Sequence, residues 1–219
     1  SFGALNLTAL SEAGSGIRDL PAVFELDLFG RSHSLEFTSR EHCYGHVILR
    51  GSTGDADDRI VLALGEGGHA AASIIIAGTK YELRSTGVGD VHALHQFDPS
   101  AQHAHAKSCG TGPEHAVHSP ADGTQPMAAN AARTPIDVCV FYTPATKTQA
   151  GGKGSIESGI AMRIAVATQS SADSDVNHKY TLAYTAETNY TETGTGTDLS
   201  RFQSTNDGYM DEVHALRNT

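Results

Sequence analysis

Ile60-Val61-Leu62-Ala63-Leu64-Gly65-Glu66-Gly67-Gly68-His69-Ala70-Ala71-Ala72-Ser73-Ile74-Ile75-Ile76-Ala77-Gly78-Thr79-Lys80-Tyr81-Glu82-Leu83-Arg84 decides the fold of the first half of the chain. Ile60 to Leu64 and Ala71 to Ile76 are apolar runs of strand length joined by Gly65-Glu66-Gly67-Gly68, and Ala77-Gly78 then leads into Lys80 to Arg84. Such runs separated by glycine turns read as consecutive antiparallel hairpins. Upstream, Phe24, Leu26 and Leu28 alternate with Glu25 and Asp27, Leu35 and Phe37 repeat the period, and Tyr44 to Leu49 supplies a further strand. Strands recurring about every 8–12 residues predict a small antiparallel sandwich or open barrel. We assign it residues 1–112.

The full chain of 219 residues carries 15 Lys and Arg against 25 Asp and Glu, a net charge of −10, and neither half is basic. A nucleic-acid binder needs a basic patch or stripe, so no nucleic-acid partner is expected. No apolar run approaches the roughly 20 residues of a membrane span. Ser1-Phe2-Gly3 lacks the basic start and apolar core of a secretory leader, which is expected to be already absent. Three cysteines, Cys43, Cys109 and Cys139, are an odd number and do not form a disulfide framework.

From Pro99 to Thr134 the texture changes to His, Ala, Ser, Gly and Pro, with too little apolar surface to offset ordering entropy. Residues 113–134 read as an exposed linker and a protease target. After Pro135 the pattern is α/β. Ile136 to Tyr142 is nearly continuous in apolar character, as in a strand covered on both faces, and Thr143-Pro144 ends it. Ile156, Ile160, Ile164 and Ala167 form one helical stripe, Lys179 to Thr185 returns as a strand, and Thr191 to Thr197 reads as a polar loop. A last helical stripe runs through Met210, Val213 and Leu216, with Asp207 as expected N-cap and Asp211 and Glu212 in the first turn. Two strands and two helices leave a sheet edge and a helix face to be covered, either by further chain or by the first domain.

Chemistry is sparse. His92, His95, His103, His105, His115 and His118 surround Cys109, but the Ala- and Gly-rich segment gives the rings no scaffold, so they read as solvated loop histidines. Cys109 lies in Lys107-Ser108-Cys109-Gly110-Thr111-Gly112, where small neighbours allow close approach and the lysine favours thiolate; the alternative is an exposed free cysteine. Cys43 and Cys139 read as small core residues. The chain contains no Gly-x-Ser-x-Gly, no phosphate loop and no His-Glu-x-x-His. Gly151-Gly152-Lys153-Gly154-Ser155 reads as a flexible lead into the helix.

Pro135-Ile136-Asp137-Val138-Cys139-Val140-Phe141-Tyr142-Thr143-Pro144, Thr185-Ala186-Glu187-Thr188-Asn189-Tyr190-Thr191-Glu192-Thr193-Gly194, Asp198-Leu199-Ser200-Arg201 and Asp207-Gly208-Tyr209-Met210-Asp211-Glu212-Val213-His214 resemble, in order, the start of the catalytic domain of the peptidyl-Asp metalloendopeptidases. These are secreted bacterial zinc proteases of the metzincin type. Residues before the linker resemble that family's propeptide through Tyr81-Glu82-Leu83 and Cys109-Gly110-Thr111.

The resemblance implies an α+β chain. A β-rich propeptide domain (1–112) and an activation linker (113–134) precede a partial metzincin-like domain (135–219) that stops before the zinc helix. It implies a zymogen fragment in which Cys109 is the inhibitory zinc ligand of the full-length proenzyme, with zinc as its cofactor and a protein or peptide as substrate. The fragment's partner would be the missing C-terminal half of the catalytic domain. No catalytic residue and no metal of its own are expected in this chain, which alone should be inactive. A different reading is a non-catalytic secreted binding module with a β-domain and an α/β domain.

Overall fold

The alternation of residues 24–98 becomes a meander in which every strand pairs with the next. A computed structural model describes residues 2–4, 24–88, 91–98 and 133–217. The strands are β1 (Phe2–Ala4), β2 (Phe24–Leu28), β3 (Arg31–Cys43), β4 (His46–Ser52), β5 (Arg59–Leu64), β6 (Ala70–Ile76), β7 (Thr79–Ser85) and β8 (Val91–Gln96). They form one antiparallel sheet in the order β1-β8-β7-β6-β5-β4-β3-β2. It curls into a half-barrel, so the open-barrel alternative describes it better than a two-sheet sandwich.

Three of its hairpins turn on a residue pair with both φ values positive, Phe29-Gly30, Tyr44-Gly45 and Ala77-Gly78. Such turns match the twist of the flanking strands, and a glycine at the second position relieves half of the steric cost. Tyr44 therefore sits in a turn and not in the strand expected from Tyr44 to Leu49. β4 begins at His46.

The concave face encloses Leu26, Leu28, Leu35, Phe37, Leu49, Ile60, Leu62, Leu64, Ala72, Ile74, Ile76 and Leu83. These are every second residue along each strand, as the pleat requires. On the middle strands the intervening residues Ile48, Val61, Ala63 and Ala71 are buried as well. That is why Ile60 to Leu64 reads as a continuous apolar run: β5 is covered on both faces.

The second part comprises β9 (Thr134–Tyr142), α1 (Pro144–Gln149), α2 (Lys153–Asp173), β10 (His178–Glu187), α3 (Thr195–Gln203) and α4 (Asp211–Arg217). β9 and β10 pair in parallel with a bulge between Leu182 and Tyr184. Thr143 both ends β9 and caps α1, its hydroxyl accepting from the Thr146 amide with Pro144 in the first turn.

Several expectations change. α1 and α3 fall where no helix was expected, α3 overlapping the presumed polar loop. Asp207 does not cap α4: its carboxylate accepts from Tyr209 N, while Asp211 accepts from the amides of Asp207 and Gly208. β9 is not covered on both faces, for Thr134, Pro135, Asp137 and Cys139 are exposed and only Ile136, Val138, Val140 and Tyr142 turn inward. Cys139 is thus exposed, and the reading of it as a core residue is wrong; one-sided cover suffices for an apolar strand. Cys43 is half-buried, packed between the two parts, as expected.

Candidate functional site

Helix α2 carries two buried faces. Ile156 and Ile160 pack with Tyr142 and Leu182 of the parallel pair. Ala161, Met162 and Ala165 pack on Ile48, Val61, Ala63 and Ala71 of the curled sheet. The sequence stripe through Ile156, Ile160 and Ile164 showed only the first face, because the second is written in two alanines and a single methionine, which make no recurrent stripe. Sheet cover of the free helix face, one of the two alternatives left by the sequence, is the arrangement found.

Polar contacts line this seam. Arg163 Nη2 donates to Glu82 Oε1 at 2.9 Å, and Arg84 Nε donates to the same oxygen at 2.8 Å. Arg59 Nε meets Asp173 Oδ2 at 2.7 Å, and Lys179 Nζ lies 3.8 Å from Glu41, which also pairs with Arg50 at 2.6 Å. Burial pushes Glu82 up, but the Arg84 hydrogen bond and the charges of Arg84, Arg163 and Lys80 outweigh it and hold the carboxyl below its ordinary value. His69 Nδ1 lies 3.3 Å from Ser85 Oγ and 3.4 Å from Ser155 Oγ, one on each side of the seam. Between the parts opens a cleft of about 480 Å³ bordered by Glu82, Arg84, His95, Thr146, Ser155 and Arg163. Of these, the sequence singled out His95, within the histidine cluster, and Glu82, within Tyr81-Glu82-Leu83.

A second polar cluster orders the chain after β10. Asp198 accepts from Tyr190 Oη at 2.6 Å and from the amides of Thr193 and Gly194, and these bonds bring its carboxyl down to about 2. The Arg201 guanidinium stacks 3.8 Å over the Tyr209 ring. Tyr142, buried beside Glu157 with its hydroxyl 3.3 Å from that carboxylate, is pushed up to about 12 by burial and then by the neighbouring charge.

Cys109 and the histidines at 103, 105, 115 and 118 lie outside the described residues, as does the linker except for Arg133 and Thr134, the latter already in β9. The reading of the histidines as solvated loop residues is wrong for His92 and His95: both lie in strand β8, where His92 alternates inward and is buried at 1 % exposure while His95 borders the cleft. Burial raises the Cys43 thiol, which disfavours the reactive thiolate. Among the described residues no group of three or more His, Cys, Asp or Glu side chains could hold a metal ion. No helix among them is long and apolar enough to cross a membrane.

Sequence relatives cover about two thirds of the chain. The chain is similar to peptidyl-Asp metalloendopeptidases. One from Xanthomonas campestris pv. campestris is 32% identical over 155 residues, which is 70% of this chain and 36% of the relative. Two from Stenotrophomonas maltophilia strains are 36% identical over 157 residues and 31% over 171, covering 65% and 72% of this chain and 34% and 37% of the relatives. The chain thus spans about a third of the length of the curated relatives it matches. No family model and no solved structure matches it.

Proposed function

We propose that the chain is the prodomain and the opening part of the catalytic domain of a secreted zinc metalloendopeptidase, kept latent through Cys109. The similarity to three metalloendopeptidases over about two thirds of the chain carries this reading. Their name denotes metal-dependent cleavage of peptide bonds, and protein or peptide substrates follow for the complete protein.

The described residues do not fit a zinc site, since no three donors converge among them. We therefore assign none of them to the metal and derive no chemical step from them. In this reading the ligands belong to a His-Glu-x-x-His segment outside these 219 residues, and Cys109, between the strand-rich part and the linker, supplies the blocking thiolate. The residues of this chain act by position: the sheet holds α2, and α2 holds β9 and β10, the elements from which the catalytic half is continued.

The test is Cys109→Ser in the complete proenzyme. Activation should be faster than in the wild type; an unchanged activation rate overturns the role given to Cys109. A complete protein without any His-Glu-x-x-His segment would instead favour a binding module.

A further inference from the structure

The contact between α2 and the sheet is more than an accident of two parts lying side by side. Ser158 and Ala161 on the helix are at 0 % exposure and Met162 at 2 %, and opposite them Ile48 and Ala63 are at 0 %. Small residues such as Ser158 and Ala161 let the helix axis come close to the strands, so the centre of the seam is closely packed. Separated, it would expose an apolar patch on both the sheet and the helix.

At one end the turn after β7 meets the turn before α2 backbone to backbone. A Cβ on Gly87 would overlap the Gly151 carbonyl, and one on Gly151 would overlap Thr86. The His69 ring lies where a Cβ on Gly154 would stand. Arg163–Glu82, Arg59–Asp173 and Lys179–Glu41 then tie the sheet to the helix and to β10. Among the described elements the chain passes from the sheet to the α/β part between β8 and β9, and that connection contains the proposed activation linker.

We propose that cutting this connection does not release the prodomain: residues 24–98 stay bound to residues 133–217 as a noncovalent complex through the α2 seam, and release needs a second event that acts on the seam. The inference rests on the reading of 113–134 as the activation linker. The apolar contact carries the affinity, because the ion pairs are partly exposed and such pairs contribute little. Those pairs fix register and make the complex sensitive to salt and acid.

The experiment replaces Ser119–Gly123 in the 219-residue chain by a site-specific protease sequence, cuts it, and follows the fragments by size-exclusion chromatography. Wild-type fragments should co-elute at physiological salt. Met162→Asp, which puts an unpaired carboxylate into the apolar contact, should weaken reassociation at least about a hundredfold. Leu199→Asp, at a residue 46 % exposed on α3, should leave it unchanged. If uncut Met162→Asp fails to fold, Ala161→Leu overfills the same contact and should weaken association about tenfold. Wild-type fragments that elute apart at physiological salt, or a seam variant that binds as tightly as wild type, overturn the proposal. This readout does not involve Cys109, so its failure and a failure of latency in Cys109→Ser are separate results.

Discussion

The curled sheet and the parallel pair solve the same problem, covering apolar strands, to different degrees. β4, β5 and β6 are buried on both faces, by the concave core on one side and by α2 on the other. β9 and β10 share the opposite face of that helix and leave Asp137, Cys139 and Thr181 in solvent. One helix therefore serves two sheets. The helix belongs to the second part, so its loss would cost the strand-rich part an outer cover and the α/β part its whole core.

That asymmetry can be broken by truncation inside each region. Leu49→Ala, at a residue fully buried in the concave core, should cost about 2–5 kcal/mol in chemical denaturation. Val140→Ala, in the half-buried face of β9, should cost clearly less. Equal losses would mean the two cores are equally closed. A smaller effect is expected at the turn contact: Gly87→Ala combines a positive φ of 78° with overlap on Gly151 and should cost about 1–3 kcal/mol. A melting temperature equal to wild type would show that the two turns do not touch.

Acid should loosen the seam. Glu82 and Asp173 both titrate below their ordinary values of 4.5 and 3.8, each pushed up by burial but held down more strongly by its arginine partners and hydrogen bonds. Groups lowered in the folded state contribute fully above the unfolded value, and that contribution is lost as pH falls through the lowered one. Glu82 faces Arg84, Lys80 and, across the strand pair, His95, with Arg163 from α2. The difference in melting temperature between wild type and Glu82→Gln should be largest near neutrality and shrink as the pH falls below the ordinary value of 4.5 and through the lowered one. A difference that grows in acid would reverse the assignment.

The smallest effect has the opposite sign. Ser158 Oγ is buried and has no hydrogen-bond partner among the described residues. Ser158→Ala should be neutral or stabilising by up to about 1 kcal/mol. A loss of more than that would reveal a partner for the hydroxyl.

What the sequence disclosed follows the same division. The hairpins were legible because Ala77-Gly78 and the period of Phe24, Leu26 and Leu28 are local signals. The continuous run Ile60 to Leu64 also held the information that something covers the outer face of β5, although Ala161, Met162 and Ala165, being small or mixed with serine and glycine, did not show what. α1 was marked only by Thr143-Pro144, a cap and first-turn pair that reads equally well as a strand terminator. α3 is stabilised by Asp198 reaching back to Tyr190, Thr193 and Gly194, a contact no periodicity announces. The site was hardest to see. Glu82 and Arg163 are far apart in sequence and meet only because α2 crosses the sheet.

In the proposed proenzyme, the Cys109 thiolate blocks the metal. Cobalt substituted for zinc in the complete proenzyme reads this bond directly. A thiolate-to-cobalt charge-transfer absorption should be present in the wild type, absent in Cys109→Ser, and lost on activation. A cobalt-loaded proenzyme whose spectrum is the same with and without the Cys109 thiol would contradict the account.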